Sequence, residues 1–506
     1  MSSLNAAENL WHCYNCGVRS LLTRRLTTVL ALLISAACFN SCSKRSPSAF
    51  AITHVTVINV TGAAPQRDST VIVSGGQIIA VGAADTIAIP RDAKVMDARG
   101  KFLIPGLADM HLHLTGAGEP TGSREFILPL LIANGITTVR DMGGRVEYLK
   151  GLRSEIESAQ RLGPQIFFTG PYLDGDPPAF QPSVVIRNKA EAAATVEQLK
   201  SAGVDFIKTQ SHLGREGYFA IAEECRAQNI RFVGHVPDTV SAAEASAAGQ
   251  TSIEHLTGVL VATSTREQEL RREQLASGPP NESVSAAIQR SRGWQRKLLE
   301  SLSTQKAARL LQEFARNHTW QVPTFPTLVH MGFLTPQMDL RGDPWEKYVP
   351  SKVQQIWEQG RKTQMENRND VDFALRAEII KRSLEIVGKM NEAGVPIMAG
   401  TDAAAPNVFP GFSLHEDLFY LVKAGLKPMQ ALQAATVKPA QFLERNGEQG
   451  SVAAGKRADL VLLDANPLED IRNTQRIRAV VVNGRLLERR DLDELLTGVE
   501  RYAKAH

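Results

Sequence analysis

Two hydrophobic periods divide the chain. Between Ile52 and Phe102 apolar and polar residues take turns, in V-T-V-I-N-V and then T-V-I-V-S-G-G-Q-I-I-A-V-G. That period of two predicts strands with one buried face. Ser74-Gly75-Gly76 between the runs predicts a hairpin, and K-V-M-D-A-R-G-K-F-L-I-P-G a further strand. Residues 51–106 hold too few strands for a stable sheet alone, so partners are expected elsewhere. A-D-L-V-L-L-D and R-A-V-V-V-N-G-R-L-L repeat the pattern near the other end, with Asn483-Gly484 as a second hairpin turn. Residues 51–106 and 441–490 are therefore predicted to form one small β-sandwich domain built from both chain ends. Residues 491–506 are left as a tail.

From 107 to 440 short apolar runs alternate with helical spacing. Arg124 to Ala133 reads as a helix, I-T-T-V-R-D-M-G as a buried strand, and Gln165 to Gly170 as the next strand. Asn188 is placed to cap a helix that runs through Lys200 and stops at Gly203, before the strand V-D-F-I-K-T-Q. Helical Arg215 to Gln228 precedes R-F-V-G-H-V, helical Ser241 to Ala248 precedes S-I-E-H-L, and a long helix from Leu375 to Glu392 precedes V-P-I-M-A-G-T-D. Gln321 to Thr327 is the expected seventh strand and Pro428 to Thr436 a last helix. Repeated strand-helix alternation requires crossovers and so a parallel sheet. The economical solution is an α/β fold with a (β/α)8 TIM-like barrel over residues 107–440. An open doubly wound sheet is the alternative, but the glycine-rich phosphate loop that often marks one is missing. The charged run at 263–320 predicts solvated helices, and its place after S-I-E-H-L would hang it over the strand ends as a lid.

Composition changes little. The 506 residues are 43% apolar and 22% charged, ordinary for a globular protein, and a net charge of +4 gives no reason to expect a nucleic-acid partner. The first 42 residues differ. Arg24 and Arg25 precede an apolar run from Leu26 to Ala37, short for a membrane span but suited to the core of an export signal. Cys38 and Cys42 follow small residues, although neither has the Leu three positions earlier that a lipoprotein signal prefers. The expectation is an exported protein, periplasmic or held at the membrane by a lipid anchor. Cys13-x-x-Cys16 lacks a second pair of zinc ligands, and an over-extended start accounts for it more simply. Only Cys225 remains beyond residue 43, so no disulfide framework is expected.

The chemistry concentrates at strand ends. In L-I-P-G-L-A-D-M-H-L-H-L, His111 and His113 stand two apart and project from one side of their segment, where they can hold one metal ion or serve as a hydrogen-bonded core pair. Lys208, His235, His255 and Asp402 each close a later apolar run, on the face where barrel enzymes carry their chemistry. His212, His330, His318 and His415 fall near the same ends but read as surface or structural residues; His54 and His506 belong to the small domain and the tail.

With P-G-L-A-D-M-H-L-H followed by Lys, His, His and Asp, the sequence resembles the amidohydrolase superfamily from residue 51 to 490. T-T-V-R-D-M-G and G-F-S-L-H-E-D resemble its imidazolonepropionase-related and prolidase-like branch. The resemblance implies a binuclear centre: His111, His113 and Asp402 at one divalent metal, His235 and His255 at the other, and Lys208, carboxylated by carbon dioxide to a carbamate, bridging them. Zinc suits such ligands. It further implies hydrolysis of a carbon–nitrogen bond by a metal-bridged hydroxide, with Asp402 as proton carrier. The implied substrate is a small amide, dipeptide, lactam or N-acyl amino acid, and a homo-oligomer is left open. Where the family often reads H-x-H-G, this chain has His235-Val236-Pro237, which weighs against a dipeptide. The alternatives are a mononuclear, deaminase-like member and an exported solute-binding barrel without catalysis.

Overall fold

The alternating segments pair as expected. Strands from both chain ends make one eight-stranded sheet, ordered Arg485–Glu488, Ile477–Val482, Leu460–Leu463, Phe102–Pro105, Phe50–Val57, Gln66–Ser74 and Gln77–Ala83, with Lys94–Asp97 also on Phe50–Val57. Leu460–Leu463 runs antiparallel to Phe102–Pro105, so the returning chain completes the sheet that the first half leaves open. Both hairpins form, with Ser74 opposite Gln77 and Val482 opposite Arg485. The apolar face gathers Ile52, Val55, Val71, Val73, Leu103, Leu460 and Val481 into its own buried cluster. These statements come from a computed structural model that describes residues 49–115, 122–276, 282–338 and 342–506; the leader read into residues 1–42, with Cys38 and Cys42, lies outside the described residues. Among the described residues no helix is long and apolar enough to cross a membrane.

All strands of the middle segment pair in parallel. One sheet runs Leu107–Leu112, Ile136–Asp141, Gln165–Phe168; the other runs Ser183–Val185, Tyr172–Asp174, Ile207–Thr209, Phe232–Gly234, Ser252–Glu254, Trp320–Val322. The chain around 397–403 lies between them, bridging Gln321 through Ile397 and Leu112 through Ala403. A single apolar cluster draws Met110 and Phe167 from the first sheet, Val233 and Val322 from the second, and Met398 from the connecting chain.

Local signals explain most helices. Asn188 accepts a hydrogen bond from the Glu191 amide and Gly203 ends the helix Lys189–Ala202. Ser241 and Glu244 form a capping box on Ala242–Ala247.

Several expectations need correction. The seventh strand is Trp320–Val322, not Gln321 to Thr327: Pro323 has no amide for the ladder, Thr324 turns left-handed at φ 49°, and Phe325–Thr327 is helical. V-P-I-M-A-G-T-D makes one isolated bridge, Ile397 to Gln321, with another just past it at Ala403, rather than an extended strand. Two short strands, Tyr172–Asp174 and Ser183–Val185, were not expected; Gly170, at φ 73°, breaks the apolar run that began at Gln165. The helix read from Leu375 starts at Asp370, where Asn369 and Asp372 form a capping box. The stretch read as a helix from Arg124 begins as a π turn, Ser123–Ile127, before Leu128–Ala133. The tail is a helix, Arg489–Ala505, that buries Leu492, Val499 and Ala503. The charged run, by contrast, is helical as expected, over Glu267–Leu275, Val284–Glu300 and Thr304–Arg316 among the described residues.

Candidate metal centre

Six residues singled out from the sequence fall at or just past the carboxyl ends of parallel strands. His111 lies within Leu107–Leu112 and Lys208 within Ile207–Thr209; His235 and His255 each follow the last residue of a strand. Asp402 sits immediately before the bridge at Ala403. His113 Nε2 is 2.9 Å from Asp402 Oδ1, and His111 Nε2 is 3.4 Å from the same oxygen. His255 Nε2 is 4.0 Å from Asp402 Oδ2. The His255 ring centre stands 4.4 Å from that of His111 and 4.8 Å from that of His235.

Each imidazole is held from outside by its other nitrogen. His111 Nδ1 meets Glu254 Oε2 at 2.7 Å, and His235 Nδ1 meets Ser211 Oγ at 2.8 Å. His255 Nδ1 meets Thr324 Oγ1 at 2.6 Å, and His113 Nδ1 lies 3.3 Å from both Gly143 O and Tyr172 Oη. The Nε2 atoms of His111, His113 and His255 thereby turn toward Asp402. His111 Nε2 is buried with no hydrogen-bond partner, a costly state for a polar atom unless something else binds it. Ligand atoms of His111, His113 and Asp402 lie within 4.8 Å of one another. This donor set fits a divalent metal with affinity for imidazole and carboxylate.

Electrostatics follow from crowding. Burial holds the imidazoles of His111 and His235 well below their ordinary values, with Lys208 and His255 adding to the effect. Burial takes His255 down to about 4. Burial also pulls on His113, but its contact with Asp402 outweighs this and the net movement is upward. Asp402 resists its own burial because His255 and His113 face it, so its carboxyl stays below the usual range. Lys208 is 1% exposed, and burial lowers its amine to about 8 against the pull of Glu254 and Asp402.

The residues around this cluster carry signals that the spacing did not reveal. Glu254, between Ser252 and His255, is fully buried and paired with Arg140, whose Nη2 lies 2.9 Å from Oε1 while its Nε donates to Met110 O. Arg140 of T-T-V-R-D-M-G and Glu254 of S-I-E-H-L thus form one buried network behind His111. Further acids hold backbone beyond the strand ends. Asp109 accepts from the amides of His111 and Thr401 and from Thr401 Oγ1; Asp141 accepts from Leu114 and Gly143, and Asp417 from Phe325 and Gly400. An acid immediately after an apolar run was the available sign. The remaining histidines are elsewhere: His212 is exposed and binds Pro177 O, His330 pairs with Glu416, His415 with Thr474, and His54 with Asp68.

An inward ring of imidazole nitrogens with a carboxylate, at the ends of parallel strands, is the arrangement of a metal-dependent hydrolase. The amidohydrolase family model matches residues 102–292 and 328–487, and the chain belongs to the amidohydrolase family. Imidazolonepropionase of Shouchella clausii is 32% identical over 117 residues, 20% of this chain and 25% of that protein. The curated relatives are matched over a quarter or less of their own length. Among solved structures, bottromycin amidohydrolase aligns at a TM-score of 0.69 with 21% identity, covering 91% of each chain. A putative prolidase from Bifidobacterium longum aligns at 0.61 with 23% identity, covering 90% of this chain and 99% of that one. These likenesses are of fold.

Proposed function

We propose that the protein hydrolyses a carbon–nitrogen bond of a small amide, lactam, N-acyl amino acid or dipeptide at a binuclear metal centre. The observation that carries this reading is the set of four imidazoles whose Nδ1 atoms are occupied, three of which, His111, His113 and His255, turn Nε2 toward a shared carboxylate. His111, His113 and Asp402 would hold one divalent ion, most simply zinc, and His235 and His255 the other. When bound, such a pair supplies Lewis acidity for the attacking water and the scissile carbonyl. Asp402 takes the water's proton on a carboxylate oxygen and delivers it to the leaving nitrogen. Lys208 would help hold both ions as an anionic carbamate: its neutral Nζ would add to carbon dioxide, forming an N–C bond as one C=O π bond opens, and the proton lost from nitrogen would pass to water. Burial of Lys208, with no salt bridge to it among the described residues, supports that role. The parallel order of strands and the apolar cluster they share support a closed (β/α)8 barrel, and the two-ended sheet supports a flanking sandwich. Export, with cleavage or a lipid anchor at Cys38 or Cys42, belongs to the same proposal.

The test is metal analysis before and after chelation, coupled to a panel of N-acyl amino acids, Xaa-Pro and other dipeptides, and cyclic amides. Hydrolysis that disappears with the metal and returns with zinc and bicarbonate is expected; hydrolysis that survives complete chelation overturns the reading. One metal per chain, with Lys208→Ala still active, would favour the mononuclear, deaminase-like alternative, which the tight His111, His113 and Asp402 group also fits.

A further inference from the structure

A line of rings leads outward from the metal centre. His113 contacts Tyr172 with ring centres 6.0 Å apart, and Tyr172 contacts Phe180 at 6.4 Å. Exposure rises along it: the Tyr172 side chain is buried beside His113, whereas Phe180 is 54% exposed. A single exposed ring is ordinary on a protein surface; what sets Phe180 apart is that it ends a series of rings that starts at His113.

The loop is firmly built. Asp174, at the end of its strand and fully buried, accepts hydrogen bonds from the amides of Gly175, Ala179 and His212 at 2.7–2.9 Å. His212 in turn meets Pro177 O at 2.8 Å through Nδ1, and Ser183 Oγ donates to Phe180 O. Tyr172 has a seat that only glycine provides, because a Cβ on Gly143 would overlap the tyrosine ring. The same Gly143 carbonyl shares His113 Nδ1 with the Tyr172 hydroxyl. Loop, seat and metal ligand are therefore tied together, and the ring that ends the series faces solvent.

We propose that Tyr172 and Phe180 form an aromatic wall that receives an apolar, preferably aryl, side chain of the substrate next to the scissile bond. This inference rests on the hydrolase reading of the same centre and names the substrate class within it. Phe180 determines specificity by ring-to-ring packing, while Tyr172 positions that ring relative to His113. Offset or edge-to-face pairing of a substrate phenyl with Phe180 gives selectivity beyond simple burial.

The experiment uses two measurements on the metal-loaded full-length protein. The first is calorimetric binding of 3-phenylpropionate against propionate, which needs no turnover. The second is kinetics on a matched phenylalanyl and glycyl pair within whichever amide scaffold is hydrolysed. Wild type should bind the phenyl ligand about 10-fold or more tightly than propionate and show a lower KM for the phenylalanyl partner. Phe180→Ala should erase most of that preference, raising the phenylalanyl KM about 5- to 20-fold, and Phe180→Trp should retain it. No phenyl preference in wild type, or an unchanged preference in a folded Phe180→Ala, overturns the wall. If no amide is hydrolysed but the ligand preference is present and lost in Phe180→Ala, the wall stands and the hydrolase reading fails.

Discussion

The two-ended sheet and the parallel strands around the metal centre solve the same problem differently. In the sheet, backbone groups pair strand to strand across the whole layer, as Leu460–Leu463 does on Phe102–Pro105 and Gln66–Ser74 on Gln77–Ala83. Around Lys208, His235 and His255 the strands are only three residues long, and the chain beyond them must still satisfy its amides. Buried carboxylates do this: Asp109, Asp141 and Asp417 accept from backbone where the ladder stops. His255, Thr324 and Asp402 are left-handed at φ 56°, 49° and 65°; in the sheet the same backbone occurs at His54 and Asp68, where Phe50–Val57 and Gln66–Ser74 shift register. Stability in one region comes from repetition, and geometry in the other from single side chains.

The largest test of that contrast is at Asp402. Asp402→Asn should lower kcat/KM by about 100- to 10,000-fold, as loss of a proton carrier does, while atomic absorption finds metal largely retained; turnover near wild type would remove it from that role. Asp417→Ala comes next. It strands the amides of Phe325 and Gly400 and should cost on the order of 2–5 kcal/mol in urea unfolding, with Asp417→Asn recovering much of it.

A pH experiment reads the joint between the two regions. His415, on the helix Phe412–Lys423, meets Thr474 Oγ1 at 3.0 Å, just before the sheet strand Ile477–Val482. Burial lowers its imidazole to about 4, against a slight upward pull from the Asn134 backbone. The unfolded chain then binds the proton first as pH falls, so stability is whole above about 6.5 and drains as pH falls toward 4. The loss is on the order of 3 kcal/mol, visible as a falling unfolding midpoint that His415→Gln should flatten. The smallest effect belongs to the sheet. Gly75→Ala, at φ 59° in the first hairpin with open space around it, should cost about 1–2 kcal/mol in thermal unfolding without changing metal content.

The same contrast decides what the sequence reveals. Alternation in V-T-V-I-N-V and R-A-V-V-V-N-G-R-L-L is written once per residue, so both halves of the sheet and their pairing were legible. His111, His113, Lys208, His235, His255 and Asp402 were legible because each ends an apolar run, and the family resemblance supplied their grouping. Glu254, Arg140, Asp109 and Asp417 were not, because a buried acid that holds an amide from another segment has no period. Gly170 and Pro323 cut two apolar runs at points where period alone predicted continuous strand, and the 395–403 segment pairs by single bridges that leave no pattern.

The union of Leu460–Leu463 with Phe102–Pro105 joins residues about 355 positions apart, the costliest kind of contact to reach by diffusion of a tethered chain. During synthesis the early strand emerges long before this neighbour exists, with the amides and carbonyls of the edge away from Phe50–Val57 bare. That strand leads straight into the histidine pair, so a ribosome stalled ahead of residue 460 releases a chain whose catalytic end hangs from an unsealed edge, prone to stick to its siblings.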